Sequence, residues 1–551
     1  MNPKPLFTSG YPSSEEGAHW LIAEQPSTLL HAYERNDLGK LCRGPWRQIP
    51  RISAKITYVI AVTLLLLAMQ AALGVEPAGM EDMAGIPAPI AKQMRVHKIS
   101  PRDVSFYVKD TTTTAPLLAF NAEVARNPAS SIKLLTTAAG LGILGPGYRW
   151  KTRAYITGTV EQGHLNGDLV IKGFGDPTLT VEDLWRLLWG IRERGVETIA
   201  GDLILDSSYF GPPEGRRGDF DGKATSAYNA LPHALSVNFQ TTRVHLIQDD
   251  AHGEVRVFTD PPLANLEVEN DLRLVKAPCK RKYHKPVLQV VEHTGSATLR
   301  LTGTFADSCG ESDYARLLLD PAAHSAGATL ALWQTMGGKV GGRVREGLRP
   351  EGARLLYTLE SEPLEDAVRE INKHSNNLMS RTLFLTLGAE RDGAPGTLKK
   401  ARHAVSIWLA DRGIDPSKLI LDNGSGLSRN TRISAASMAQ LLGEAYAAPT
   451  MPQFLSSLSI AGVDGTMRKR FKRSPIKGRA HIKTGTLRGA TAVAGYLLDR
   501  VGRRWIIVSL INNPRLQAWR GKRIENTLIR WVYDQAENES ETTPVSPTSA
   551  N

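Results

Sequence analysis

The stretch "ARNPASSIKLLTTAAG", residues 125–140, places Ser130 three positions ahead of Lys133 and two behind a proline. Proline favours the first turn of a helix, and residues three apart share one helical face. The spacing therefore predicts a helix over about 129–141 with Ser130 and Lys133 one turn apart. A serine hydroxyl becomes a nucleophile only when a base takes its proton. Lysine is such a base when burial and nearby cations lower its pKa. A serine at a helix N-terminus also has a free backbone N–H that can help hold an oxyanion. The plainer alternative is a capping serine followed by an ordinary lysine. The pair alone is weak evidence, because "SPIK", Ser474 to Lys477, repeats the pattern in a Pro- and Arg-rich stretch without helix signal.

Two further segments change the weight of that pair. "KHSNNLM" supplies Ser375 and Asn377, and "HIKTGTL" supplies Lys483, Thr484, Gly485 and Thr486 on an apparent strand. Ser-x-x-Lys, Ser-x-Asn and Lys-Thr-Gly in that order form the active-site set of penicillin-binding proteins and class A β-lactamases. Each element has decoys: Ser-x-Asn recurs at Ser236/Asn238, Ser428/Asn430 and Ser549/Asn551, and "HTG" begins at His293. Only one assignment gives a helix start, a helical hairpin and a strand followed by two more strands. Acyl transfer needs an attacking oxygen, a proton shuttle, an oxyanion site and a clamp on the substrate. Ser130 and Lys133 fit the first two, with Ser375 passing a proton to the leaving amine and Asn377 bonding a substrate amide. Lys483 adds positive potential that depresses the Lys133 pKa, and with Thr484 it attracts a carboxylate. Gly485 would let the substrate backbone lie close to the strand. The backbone N–H of Thr486 would complete the oxyanion hole with that of Ser130.

Around these motifs the chain divides. "VSFYVKD" and "PLLAFN" read as strands, 366–388 and 400–413 as helical, and "RAHIKTGTL", "TAVAGYLLD" and "WIIVSLIN" as successive strands before an amphipathic helix within 517–537. Short strands close in sequence with helices beside them predict an α+β fold, an antiparallel sheet with packed helices. Residues 155–354 differ, with many short strand candidates such as "GDLVIKG" and "ATLRLTGTF" between turns. The expected organisation is an N-terminal extension (1–57), an apolar segment (58–74), a linker (75–93), a discontinuous domain (94–154 and 355–537) and a tail without structure (538–551). The inserted β-rich region, 155–354, would hold two modules. Three consecutive independent domains are the alternative.

With these motifs the chain resembles the D-alanyl-D-alanine carboxypeptidase/endopeptidase family of class C penicillin-binding proteins, over roughly 100–535. Ser130 and Ser375 lie 245 positions apart, which resembles the large insertion of that family and not the short spacing of β-lactamases. "GDLVIKGFGDPTLT" (167–180), "IAGDLILDSSYF" (199–210), "YNALPHALSVN" (228–238), "LDNGSGLSRNTRIS" (421–434) and "AGVDGTMRKRF" (461–471) resemble its pattern as well. The resemblance implies a penicillin-binding-protein/β-lactamase-like transpeptidase domain and a peptidoglycan stem-peptide substrate. It implies an acyl-enzyme on Ser130, and β-lactams as covalent inhibitors of that serine. A serine β-lactamase, or a wall-binding scaffold of the same fold without activity, are the competing functions. The second motif carries Asn376 at its variable position, and the N-terminal extension is atypical.

Composition agrees with a folded body: 42% hydrophobic and 22% charged residues, with a net charge of +12. "YVIAVTLLLLAMQAALG", Tyr58 to Gly74, follows Arg43, Arg47, Arg51 and Lys55 and ends in small residues. That is the layout of a secretory signal, with an uncleaved membrane anchor or a buried helix as alternatives. The chain is thus expected to be exported to the periplasm, with possible membrane association through this segment. Cys279 and Cys309 are a candidate disulfide pair in an exported chain, or two buried thiols. No CxxC or HExxH occurs, so neither metal nor cofactor is expected. The basic run "RKRFKR", 468–473, reads as a solvated face towards an anionic polymer; it lacks the recognition fold that nucleic-acid binding requires.

Overall fold

The computed structural model describes residues 83–249 and 251–535. The apolar segment 58–74, Cys42, Ser549, Asn551 and the tail lie outside them. At the centre is a six-stranded antiparallel sheet, ordered Ser459–Ile460, Ala480–Leu487, Ala490–Leu498, Arg504–Asn512, Val104–Asp110 and Leu118–Phe120. The chain's first and last parts thus meet edge to edge, with Phe106 opposite Ser509. Strand side chains alternate between faces. Ala492, Ala494, Tyr496, Ile506, Val508 and Leu510 join one core. Val493, Leu497, Trp505, Ile507 and Ile511 join the other. Both faces are covered, which is why these strands read as unbroken apolar runs and not as alternating ones.

On the first face lie the helices Lys133–Leu144, Leu364–His374, Asn377–Asp392, Leu398–Ala410 and Ala435–Ala447. On the second lie Ala88–His97 and Ala518–Asp534. The linker expected to run to residue 93 therefore stops earlier. Ile90, Ala91 and Met94 are buried at helical spacing, and Pro87 sits at the N-cap of their helix. The segment 366–388, expected to be helical, is two helices broken at Ser375, which adopts φ 59°. Asn376 then caps the second helix, its side chain accepting from Met379 N at 3.1 Å.

The boundaries expected at 154/155 and 354/355 fall inside strands Lys151–Ile156 and Arg354–Glu360, which pair with each other. They close a five-stranded sheet in the inserted region, ordered Val344–Glu346, Leu203–Asp206, Leu169–Gly173, Lys151–Ile156 and Arg354–Glu360. The junction itself is at Trp150 and Ser361. The Trp150 N–H donates to Ser361 Oγ and the Ser361 N–H to Trp150 O, each at 3.0 Å. Several insertion pairings are parallel, including Leu203–Asp206 with Leu169–Gly173. The helices Val181–Arg192 and Pro321–Thr335 pack in the same core as that sheet. Further along are a three-stranded sheet on Thr242–Asp249 and a four-stranded sheet on Ser296–Ala306, near which Cys279 and Cys309 form a disulfide.

The basic run is not wholly solvated. Arg470 is half-buried in an ion pair with the buried Glu525 at 3.2 Å, and Phe471 next to it in sequence is buried. "SPIK" lies in turns, with no helix to align Ser474 with Lys477.

Candidate active site

Residues 126–133 form a turn fixed from several directions before the helix begins. The Asn127 side chain accepts from Ala129 N at 2.8 Å and donates to Ser428 O at 2.9 Å. Asn512 Oδ1 accepts from Asn127 N at 2.7 Å. A 3-10 turn, Ala129–Ile132, then leads into the helix Lys133–Leu144. Ser131 is fully buried and donates to Pro128 O at 2.7 Å, whereas Ser130 remains partly open. Of the two adjacent serines, Ser130 is the one whose hydroxyl is accessible.

Lys133 is fully buried, with Nζ 3.2 Å from Ser130 Oγ. Its other partners are Asn377 Oδ1, at 2.7 Å, and the Ser425 carbonyl. Burial holds its pKa well below the usual lysine range, and the charges of Lys483 and Arg381 push it further down. The chemistry of these partners is specific. A neutral amine has two N–H donors and one lone pair, and the Asn377 and Ser425 oxygens can only accept. In the neutral form both N–H groups would be engaged there, leaving the lone pair to face the Ser130 hydroxyl.

Lys483 is also fully buried, and burial lowers its pKa to about 7. It donates to Ser375 Oγ at 2.9 Å and to Thr484 O at 3.0 Å. The Ser375 hydroxyl therefore pairs with the third motif's lysine, where proton transfer with Lys133 was expected. Asn377, expected to reach a substrate amide, spends its Oδ1 on Lys133 and its Nδ2 on Tyr228 O at 3.1 Å. Gly485 differs from expectation too. A Cβ there would lie 2.5 Å from Pro128 O and 3.1 Å from Ser130 N, so the missing side chain makes room for the serine-bearing turn itself. Thr484 Oγ1 donates to Thr466 Oγ1 at 2.9 Å, and Thr486 is exposed on the same strand. All eight expected residues converge on one place.

Other residues join them without a motif to announce them. The loop 421–434 was notable only as a pattern; its Ser425 carbonyl holds Lys133, and its Gly424 carbonyl accepts from Thr136 and Ser380 at 2.7 and 2.9 Å. Gly426, at φ 78°, passes so close to the Ala129 carbonyl that any Cβ would collide with it. Arg381 is buried and donates to Ala230 O at 2.9 Å, so the insertion touches the site at both Tyr228 and Ala230. Among the described residues no cluster of side chains suits a metal ion.

A family model described as D-Ala-D-Ala carboxypeptidase 3 (S13) matches residues 88–535, most of the chain. The chain belongs to the D-Ala-D-Ala carboxypeptidase 3 (S13) family. It is a serine-type D-Ala-D-Ala carboxypeptidase, an enzyme of peptidoglycan. A D-alanyl-D-alanine carboxypeptidase of Actinomadura sp. (strain R39) is 29% identical over 419 residues, covering 74% of this chain and 77% of the relative. The D-alanyl-D-alanine carboxypeptidase DacB of Haemophilus influenzae is 25% identical, covering 74% and 85%. In fold, the crystal structure of H. influenzae penicillin binding protein 4 (dacB) superposes with a TM-score of 0.68 at 23% identity. It covers 81% of this chain and 99% of its own. This penicillin-binding-protein fold is the α+β class expected from the motifs.

Proposed function

We propose that Ser130 is the acylated nucleophile, and that this S13 enzyme both removes the terminal D-alanine of stem peptides and cuts D-alanine–diamino acid cross-links. One observation carries the assignment: the buried, cation-flanked Lys133 amine lies 3.2 Å from Ser130 Oγ. Ser130 Oγ attacks the carbonyl carbon of the penultimate D-alanine while its proton moves to Lys133 Nζ. The tetrahedral oxyanion is held by the N–H groups of Ser130 and Thr486. On collapse the C–N bond breaks, and the leaving amine takes a proton relayed through Lys133 and Ser375. Water then hydrolyses the ester. Lys483 and Thr484 receive the substrate carboxylate, and Asn377 orients Lys133.

β-Lactams acylate the same serine; the H. influenzae penicillin binding protein 4 also has a crystal structure complexed with a β-lactam. The enzyme acts outside the cytoplasm, where its polymer lies, and the signal-like layout of 43–74 supports that location. A labelled-penicillin assay tests the assignment. A persistent adduct that disappears in Ser130→Ala is expected. No adduct on the parent chain removes the acyl-enzyme, and rapid turnover of the drug favours a β-lactamase. Mass identification of products from purified muropeptides separates carboxypeptidase from endopeptidase cleavage.

A further inference from the structure

We propose that the surface shared by the helices Ala88–His97 and Ala518–Asp534 docks on a bilayer containing anionic lipid, with Val96 and Trp519 seated among the headgroups. It rests on the extracytoplasmic location proposed above. Val96 is 62% exposed and Trp519 53% exposed, a high value for a large aromatic ring on a helix whose other face is core. The two helices meet beside these residues, at His97 and Trp519. The His97 ring packs edge-on against Trp519 at 5.2 Å, and the Arg520 guanidinium lies 5.5 Å from the Trp519 ring.

Exposed cations lie close in sequence on or beside both helices: Lys92, Arg95 and Lys98 along the first, and Arg515, Lys522 and Arg523 around the start of the last. The first helix contains no carboxylate. The last contains Glu525, buried against Arg470, and Asp534 at its final position. His97 is held below its usual pKa first by burial and then by the charges of Arg523 and Arg520. Those charges therefore gather where Trp519 emerges.

Helix energetics do not explain this placement. The N-terminal end of a helix carries partial positive charge and favours carboxylates. Here the first turn has none and carries Arg520, and Lys522 and Arg523 follow it. Nor does the core explain it, because the buried face is already filled by Ile524, Leu528, Ile529 and Val532. An aromatic ring and a β-branched residue on two Lys- and Arg-rich helix ends, where the carboxylate that Lys522 acts on, Glu525, is buried against Arg470, match the chemistry of an anionic bilayer surface. In sequence, Ala88–His97 is also the first described helix after the apolar run Tyr58–Gly74.

The full chain can be tested on vesicles of phosphatidylcholine with about one-third phosphatidylglycerol, carrying a nitroxide at headgroup depth, by quenching of tryptophan fluorescence. A quenched component is expected that W519F lacks. It should fall at least about fivefold in K522E/R523E, each cation near an anionic surface contributing about that much. It should also vanish in about 0.5 M salt, where charges are screened within a few ångströms. Equal quenching of W519F and the parent chain, or equal quenching on pure phosphatidylcholine, overturns the proposal. Binding to purified sacculi that K522E/R523E loses, without lipid-dependent quenching, overturns it in favour of a wall polymer. Labelled-penicillin acylation of each variant is read in parallel. Normal acylation without quenching rejects the docking surface alone, and absent acylation in the parent chain rejects the Ser130 assignment separately.

Discussion

As the proposed base, Lys133 is tuned by its neighbours. Its two N–H groups face oxygens that can only accept, and two cations, Lys483 and Arg381, lower its affinity for a proton in addition to the effect of burial. Arg381 is the informative one to change, because its guanidinium is bonded to the Ala230 carbonyl and lies apart from the proposed carboxylate clamp. In Arg381→Met a positive neighbour is lost, so the Lys133 pKa rises. At any pH on the acid limb less of the amine is neutral. The limb of penicillin acylation against pH should move to higher pH, each unit lowering the rate about tenfold there, while the high-pH plateau is retained. Stability should also fall by about 1–3 kcal/mol, because the buried Ala230 carbonyl loses its donor. Stopped-flow acylation across pH separates the two effects: a purely structural role lowers the plateau and leaves the limb in place.

Among elements, the closest constraint is the strand Ala480–Leu487 against the turn that carries Ser130. Gly485→Ala would press a methyl group to 2.5 Å from Pro128 O and 3.0 Å from Ala129 Cβ. Either the strand or the turn must yield, at about 1–3 kcal/mol. Acylation should drop at least about tenfold, because misplacing the nucleophile slightly is costly. Gly443→Ala, in the helix Ala435–Ala447, is the control; its Cβ would meet only Ile506 at 3.9 Å. It should leave acylation unchanged and gain up to about 1 kcal/mol by thermal unfolding. Such elements were legible in the sequence where periodicity is strong, as in "WIIVSLIN"; the helix expected over 129–141 begins instead at Lys133, after a 3-10 turn, and runs to Leu144. The break at Ser375 was not, because a left-handed serine between two helices leaves the apolar period intact on both sides. The role of Gly485 was hidden for a different reason. A glycine announces that something comes close, and here the neighbour is the chain's own turn, brought in from residues 128–130.

Across the whole molecule, the three motifs meet at the candidate site, yet its support comes from segments with no chemical signature. The Ser425 and Tyr228 carbonyls act through backbone atoms, which every residue possesses, so only folding reveals them. The insertion also reaches the candidate site. Its near end holds Asn377 and Arg381 through the carbonyls of Tyr228 and Ala230. The disulfide joins Cys279 to Cys309, beside the four-stranded sheet, and none of the site's hydrogen bonds passes through either cysteine. Closing a loop of 30 positions restricts the unfolded chain, by roughly 3–4 kcal/mol on the loop-entropy treatment. The double variant Cys279→Ser/Cys309→Ser should therefore unfold earlier by about that amount in a thermal or denaturant scan, while acylation by labelled penicillin at 25 °C keeps its rate. If acylation instead slows by more than about threefold with the protein still folded, the far modules are coupled to Lys133, and the insertion works as one lever. An unchanged rate uncouples the disulfide-bearing part of the insertion from acylation and leaves its sheets free for other contacts with the polymer.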